Sequence, residues 1–258
     1  MRVAMLASGS TGNSVLVEAD GRRLLIDAGL SARELARRLA QLDVDPATLN
    51  AVLVTHEHDD HVRGLVPFSK RYGVPVYLHR RLEAQLDRKP ALVRVFDEDE
   101  LLVVDTLRIA PCPLTHDAVA PVGFVVESSE GKVGLATDLG LATRLVADRL
   151  QECRVLILES NHDEIMLRDG PYPWHLKQRI KSRHGHLSNS ESAQLLEQLR
   201  WKGLEAVFLA HLSQKNNTPD LAISAASRAL EGADHPQLLV GSPNEVRSWE
   251  SDRKDPIL

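Results

Sequence analysis

Four metal-ligand candidates, His56, His58, Asp60 and His61, fall within six residues of one another. Imidazole and carboxylate donors together suit zinc, manganese or iron. His56 and His58, two apart on an extended segment, can point the same way, whereas Asp60 and His61 follow a bend and can address a second point a few ångströms away. A donor set this rich predicts two divalent ions sharing a water. Three further candidates each follow a short apolar run: His116 in PLTHD, Asp138 in LATDLG and His211 in FLAHLS. Strand ends converging on one sheet edge are where α/β sites are built, so the seven residues are expected to meet.

The elements that must position them read as follows. Arg2 to Ala7, Ser14 to Ala19 and Arg22 to Ile26 form successive strands, with Asp20-Gly21 as a hairpin turn. Ser31 and Glu34 make a capping box for a helix to about Leu42, and the strand Ala51 to Val54 delivers the chain to His56. Later strands are expected at Val74 to Leu78, Leu107 to Cys112, Val122 to Glu127, Lys132 to Ala136, Val155 to Leu158, Ala206 to Ala210 and Gln237 to Val240. Helices are expected at about Leu141 to Leu150, Ser190 to Leu199 and Pro219 to Leu230, the second opened by the box Ser188 to Glu191. Early hairpins and later helix-alternating strands predict one α/β domain with mixed sheet. No repeat, low-complexity tract or long linker divides the chain.

Composition narrows the function classes. The 258 residues carry a formal charge of −5, 43% hydrophobic and 4% aromatic content, and 11 histidines. A net acidic chain binds nucleic acid only through a local basic patch. The first apolar run breaks at Ser8, no run approaches a membrane span, and a cytoplasmic location without membrane association is expected. Cys112 and Cys153 have no framework spacing and are expected to be buried and unpaired.

The HxHxDH loop followed by a histidine, an aspartate and a final histidine resembles the metallo-β-lactamase superfamily over essentially the whole chain. That resemblance implies an αβ/βα four-layer sandwich, a single domain over residues 1–258 with no large inserted domain. It implies that His56, His58 and His116 hold one ion, that Asp60, His61 and His211 hold the other, and that Asp138 bridges both. Zn²⁺ or Mn²⁺ are the expected ions, with iron admissible. Asp27, in LLIDAG, resembles the carboxylate these proteins place behind the metal loop. The segment from Gly185 to Glu191 resembles a motif of tRNA 3′-processing endoribonucleases, in which His186 would reach the scissile phosphate. The separation of 22 positions from His116 to Asp138 leaves no room for a tRNA-gripping arm.

Four stretches resemble the YycJ (WalJ)-like subgroup more specifically: Ala7 to Ser14, Leu158 to Asp163, Gly170 to Ile180 and Gly185 to Asn189. This implies a nuclease, including 5′-to-3′ exonuclease action on double-stranded DNA, with nucleic acid as partner and DNA favoured over RNA. Catalysis is expected to use a metal-bridging hydroxide attacking phosphorus in line, with Asp60 or Asp138 as proton acceptor and His186 as hydrogen-bond or proton donor. Ser8 and Asn13, in a Gly/Ser/Asn loop, could bring backbone amides to an anion, with Gly12 and Asn13 as candidates for positive φ. The stretch from Arg168 to His186 holds five basic residues and one acid, so Lys177 and Arg179 could track a backbone, and His162 could touch substrate. Tyr172 and Trp174 either stack on a base or belong to the core. Two other classes remain at this stage: a hydrolase of small esters, thioesters or cyclic phosphates on the same metals, and a metal-binding adaptor without turnover.

Overall fold

The computed structural model describes residues 1–86, 88–232 and 236–251. In chain order the strands are β1 (Arg2–Ala7), β2 (Ser14–Ala19), β3 (Arg22–Ile26), β4 (Ala51–Leu53), β5 (Val76–His79), β6 (Val93–Phe96), β7 (Leu102–Val104), β8 (Leu107–Pro113), β9 (Val122–Ser128), β10 (Gly131–Ala136), β11 (Val155–Glu159), β12 (Ala206–Ala210), β13 (Gln237–Val240) and β14 (Arg247–Glu250). The helices are α1 (Ala32–Ala40), α2 (Asp59–Val62), α3 (Leu65–Tyr72), α4 (Arg80–Glu83), α5 (Arg144–Arg149), α6 (Glu164–Asp169), α7 (Trp174–Ile180), α8 (Asn189–Gln198) and α9 (Pro219–Ala229). None of the described helices is long and apolar enough to cross a membrane.

Two seven-stranded sheets face each other, ordered β14-β1-β2-β3-β4-β5-β6 and β13-β12-β11-β10-β9-β8-β7. The same pairing pattern runs through both. In the first, the pairs from β14 to β3 are antiparallel and those from β3 to β6 parallel. In the second, β7 to β10 are antiparallel and β10 to β13 parallel. The expected four-layer αβ/βα sandwich is the observed architecture.

Burial on both faces explains why the strands read as continuous apolar runs. In β1, Val3 and Met5 enter the core between the sheets, while Ala4 and Leu6 face the outer core under α1 and α3. Leu156 and Leu158 of β11 likewise pack outward with α8 and α9, and Val155 and Ile157 inward. Asp20 and Gly21 adopt φ of 51° and 70°, the paired left-handed residues of a two-residue hairpin.

Several boundaries differ from the sequence reading. Helix α1 stops at Ala40, and the Glu34 carboxylate turns to Arg37 and Arg38 instead of closing the Ser31 box. The Ser188–Glu191 box forms in full. Strands β6, β7 and β14 and helices α3, α6 and α7 were not expected. Cys112 and Cys153 are buried and unpaired, and burial pushes their thiols up to about 11 and about 12.

Phe124 on β9 is fully buried between the sheets, edge-on to Phe96 at 6.0 Å. Phe124→Ala is expected to lower the unfolding free energy by about 3–5 kcal/mol, measured by denaturant titration, because the two sheets cannot collapse onto the space left.

Candidate metal centre and its cleft

The seven expected donors sit beyond the carboxyl ends of strands, on one rim of the sandwich, and His186 joins them from the connection between α7 and α8. Past β4 the chain stays extended to His58, which begins α2 and so turns Asp60 and His61 back toward the rim. His116 follows β8, Asp138 follows β10, Glu159 ends β11 and His211 follows β12. Asp27, Asp138 and His211 take left-handed conformations, φ 62°, 60° and 55°, which bend the chain sharply where each strand stops. Gly29 seats the metal loop: a Cβ there would lie 1.7 Å from the Asp60 carbonyl oxygen, so only glycine permits the approach.

The donors form three overlapping groups, each with ligand atoms within 4.8 Å of one another: His56, His58 and His116; His56, His61 and Asp138; Asp138, Glu159, His186 and His211. Asp60 Oδ2 lies 3.6 Å from His61 Nε2 and 3.8 Å from His211 Nε2. Asp138 Oδ1 is 3.1 Å from His211 Nδ1 and 4.0 Å from His116 Nε2, and its Oδ2 is 3.3 Å from His61 Nε2.

Each imidazole is held from behind by its other nitrogen. His61 Nδ1 meets Asp27 Oδ2 at 2.7 Å, His211 Nδ1 meets Glu159 Oε1 at 2.9 Å, and His56 Nδ1 meets Thr55 Oγ1 at 3.0 Å. His116 Nδ1 faces Gly185 O at 3.1 Å, and His58 Nε2 faces Asp117 O at 3.0 Å. Carbonyls and carboxylates accept only, so these contacts fix the tautomers and leave the opposite nitrogens as lone-pair donors toward the shared space. Two buried atoms, Asp138 Oδ2 and His211 Nε2, make no hydrogen bond there. His56 Nε2 and His58 Nδ1 stand 3.1 Å apart. Inward lone pairs and unpaired buried donors at this density fit divalent cations.

Without ions, protons take the place of cations in the charge balance of this rim. Burial opposes the charge on His61, but Asp27 and Asp138 outweigh it and hold its pKa well above the usual histidine range. Burial likewise opposes charge on His211, and Asp138 and Glu159 raise it to about 9. Burial should neutralise Glu159, yet His186 and His211 hold it at about 2; burial works against Asp138 too, and His211 and His61 keep it well below the usual range. His56 goes the other way, lowered by burial and by His61, and burial lowers His116.

The structure brings His56, His58, Asp60, His61, His116, Asp138 and His211 together, and places His186 beside them, with Nδ1 2.8 Å from Glu159 Oε1. Asp27 lies behind the loop as expected; its carboxylate also accepts the Thr55 amide and hydroxyl, each at 2.8 Å. Sequence reasoning missed the role of Glu159. This fully buried carboxylate joins His186 to His211 and accepts the Leu139 and Leu187 amides. The signals were a charged residue ending an all-apolar strand and its place in the subgroup-like stretch Leu158 to Asp163.

The early loop, expected to face substrate, packs against the metal loop. Ser8 is buried and its Oγ accepts the His211 amide, while its own amide bonds Ser242 O. Asn13 turns inward: its Nδ2 lies 3.2 Å from Asp60 Oδ2 and its Oδ1 accepts the Gly9 amide, so the loop spends its donors on itself and the metal loop. Positive φ falls at Gly9 and Gly12, not at Asn13. His162 is buried and away from solvent, and the Lys177 ammonium caps the carbonyls of Arg168 and Gly170. Arg179 does reach the site, paired with Asp117 at 3.1 Å. His235 lies outside the described residues.

A cleft of about 350 Å³ opens onto the donors, lined by His116 and His186 together with Ser10, Asn161, Tyr172, Leu176, Arg179, Ile180, His184 and Ser213. Trp174, at the start of α7, is 72% exposed and belongs to neither cleft nor core.

The sequence matches the model of a beta-lactamase superfamily domain over residues 22–212. It is 32% identical over 263 residues to an exodeoxyribonuclease, WalJ, of Streptococcus pneumoniae, covering 99% of this chain and 97% of that one. It is 32% identical over 236 residues to an exodeoxyribonuclease, YycJ, of Bacillus anthracis, covering 90% of this chain and 89% of the relative. Among solved structures, the metallo-beta-lactamase fold protein YhfI from Bacillus subtilis superposes with a TM-score of 0.74 at 18% identity, over 96% of this chain and 99% of that one.

Two outcomes are expected. Asp27→Asn should weaken metal affinity about 10–100-fold, read by competition with a chromophoric chelator, because His61 loses its orienting acceptor. In chelator-treated protein, the raised pKa of His211 adds stability that is complete below the unfolded histidine value and is lost as pH climbs through about 9. The Tm of that protein should therefore fall between about pH 6.5 and 9, the unfolded and folded histidine values, and a flat profile would remove the Asp138 and Glu159 interaction as its cause.

Proposed function

This chain belongs to the beta-lactamase superfamily, and from that premise we propose that it is a dinuclear metal-dependent phosphodiesterase acting on nucleic acid, DNA in preference to RNA. The observation that carries the proposal is the placement of His186. It lines the cleft at the edge of the donor cluster, backed by a buried carboxylate, where a ligand held by the other histidines would meet it. The near full-length relatives named as exodeoxyribonucleases support DNA and removal of nucleotides from an end, and the subgroup resemblance implies that this is the 5′ end. This reading also puts the protein in the cytoplasm.

Divided by reach, His56, His58 and His116 would hold one ion and Asp60, His61 and His211 the other, with Asp138 between them. Such ions, Zn²⁺ or Mn²⁺, supply Lewis acidity, making water ionise near neutral pH and offsetting charge on a phosphoryl oxygen. The chain does the rest. Glu159 accepts a hydrogen bond from His186 Nδ1–H, and in its imidazolium form His186 presents Nε2–H to the cleft, positioned to donate to the phosphoryl or leaving oxygen. Asp60, with a side chain 20% exposed while Asp138 is sealed at 2%, is the accessible carboxylate and takes the proton of the attacking water. Asn13 Nδ2, donating to Asp60 Oδ2, keeps that carboxylate turned toward the cluster.

His186→Ala should keep its metal content and lose about 10²–10⁴-fold in kcat on bis-p-nitrophenyl phosphate. Unchanged turnover with full metal occupancy would take His186 out of the chemistry. A panel of single- and double-stranded DNA and RNA with differing 5′ ends, run with Mn²⁺ and Zn²⁺ and a His58→Ala control, tests the substrate. Turnover of thioesters or lactones with none of nucleic acid would point to carbonyl chemistry on the same residues.

A further inference from the structure

The cleft beside His186 holds more than a phosphodiester linkage needs. At about 350 Å³ it falls at the small end of ligand sites, which run from about 300 to 1,000 Å³. Its lining divides chemically into an aromatic and aliphatic part, Tyr172, Leu176 and Ile180, and a polar part that includes Ser10, Asn161 and Arg179. Leu176 and Ile180 are four apart on α7 and share a face, with Arg179 beside them. A bare phosphate offers nothing to the apolar part, whereas a nucleoside base covers it. Trp174 falls on the opposite face of α7 and is excluded from this role.

The polar part is set to exchange partners. Arg179 Nη2 and Asp117 Oδ2 are 3.1 Å apart, but both side chains are 62% exposed, so the pair is held weakly. Asp117 adjoins His116, itself a donor in the cluster, which puts Arg179 within reach of a phosphate that approaches the same rim. An incoming phosphate offers the guanidinium a bidentate, charge-assisted acceptor in place of the carboxylate.

We propose that this cleft is a subsite for one nucleotide flanking the scissile phosphate, with Tyr172 as the base-stacking wall and Arg179 as the phosphate anchor that leaves Asp117 when substrate binds. The proposal rests on the phosphodiesterase reading above and specifies what sits next to the reacting group.

The test uses the full-length, metal-loaded protein and calorimetric binding of deoxyadenosine 5′-monophosphate, deoxyadenosine and inorganic phosphate. The monophosphate should bind at least about tenfold more tightly than either fragment, Tyr172→Ala should lose about tenfold for the monophosphate and little for inorganic phosphate, and Tyr172→Phe should retain wild-type affinity. Arg179→Ala should weaken the monophosphate and leave deoxyadenosine unaffected. Equal affinity for monophosphate and inorganic phosphate, or a Tyr172→Ala variant that binds the monophosphate normally, overturns the subsite. DNA cleavage is followed in parallel. Cleavage with no preference for the monophosphate defeats the subsite alone, while tight, Tyr172-dependent monophosphate binding without cleavage of any nucleic acid upholds the subsite and defeats the hydrolytic reading.

Discussion

Three carboxylates, those of Asp27, Asp138 and Glu159, are buried on one rim of the sandwich, and supplying each with partners there is the constraint around which the rest is arranged. A charge removed from water must be paired and hydrogen-bonded or it neutralises. Here the pairing comes from imidazoles: Asp27 takes His61, Glu159 takes His186 and His211, and Asp138 lies among His61, His116 and His211. The histidines are in turn fixed in orientation by these acids. Acid and imidazole are each tolerable in the interior only because the other is present, and the result is a rigid set of inward-facing donors.

Rigidity at that rim follows from what lies behind it. The strands that end there are buried on both faces, so their ends cannot drift without disturbing the inner and an outer core together. Left-handed turns at Asp27, Asp138 and His211 let the chain leave each strand at once, so that the side chain stays at the rim instead of being carried away by another residue of strand. Residues called on for substrate, Ser8 and Asn13, are part of this support. Ser8 holds the backbone of His211, and Asn13 holds Asp60.

Much of this was legible in the chain because the same physics marks the sequence. Double-sided burial made β1 to β3 and β9 to β12 readable as apolar runs, and the ligands stood out as charged or aromatic nitrogen-bearing residues close after strand ends. What escaped is what depends on distant partners. Strand β14, RSWE, buries only Trp249 and gains its identity by pairing with β1 from the far end of the chain. Strands β6 and β7 are sheet edges with mixed burial. Glu159 was indistinguishable from a strand-end surface acid until His186 and His211, 27 and 52 residues later, closed over it. Lys177 and Arg179 looked alike in a basic stretch, and only tertiary placement separates a helix cap from a cleft residue.

The repeated pairing pattern of the two sheets carries a mechanical consequence. Asp27 follows the last antiparallel-paired strand of one sheet, and Asp138 follows its counterpart in the other, with nearly the same backbone twist. The loops after strands of the first sheet contribute His56, His58, Asp60 and His61, and those after strands of the second His116, Asp138 and His211, so neither sheet carries all seven donors. Ions held there would tie the two sheets to each other. Ion release and separation of the sheets would then be coupled, and the loaded protein would resist unfolding as one cooperative body in a way that either sheet with its own rim of acids and imidazoles could not.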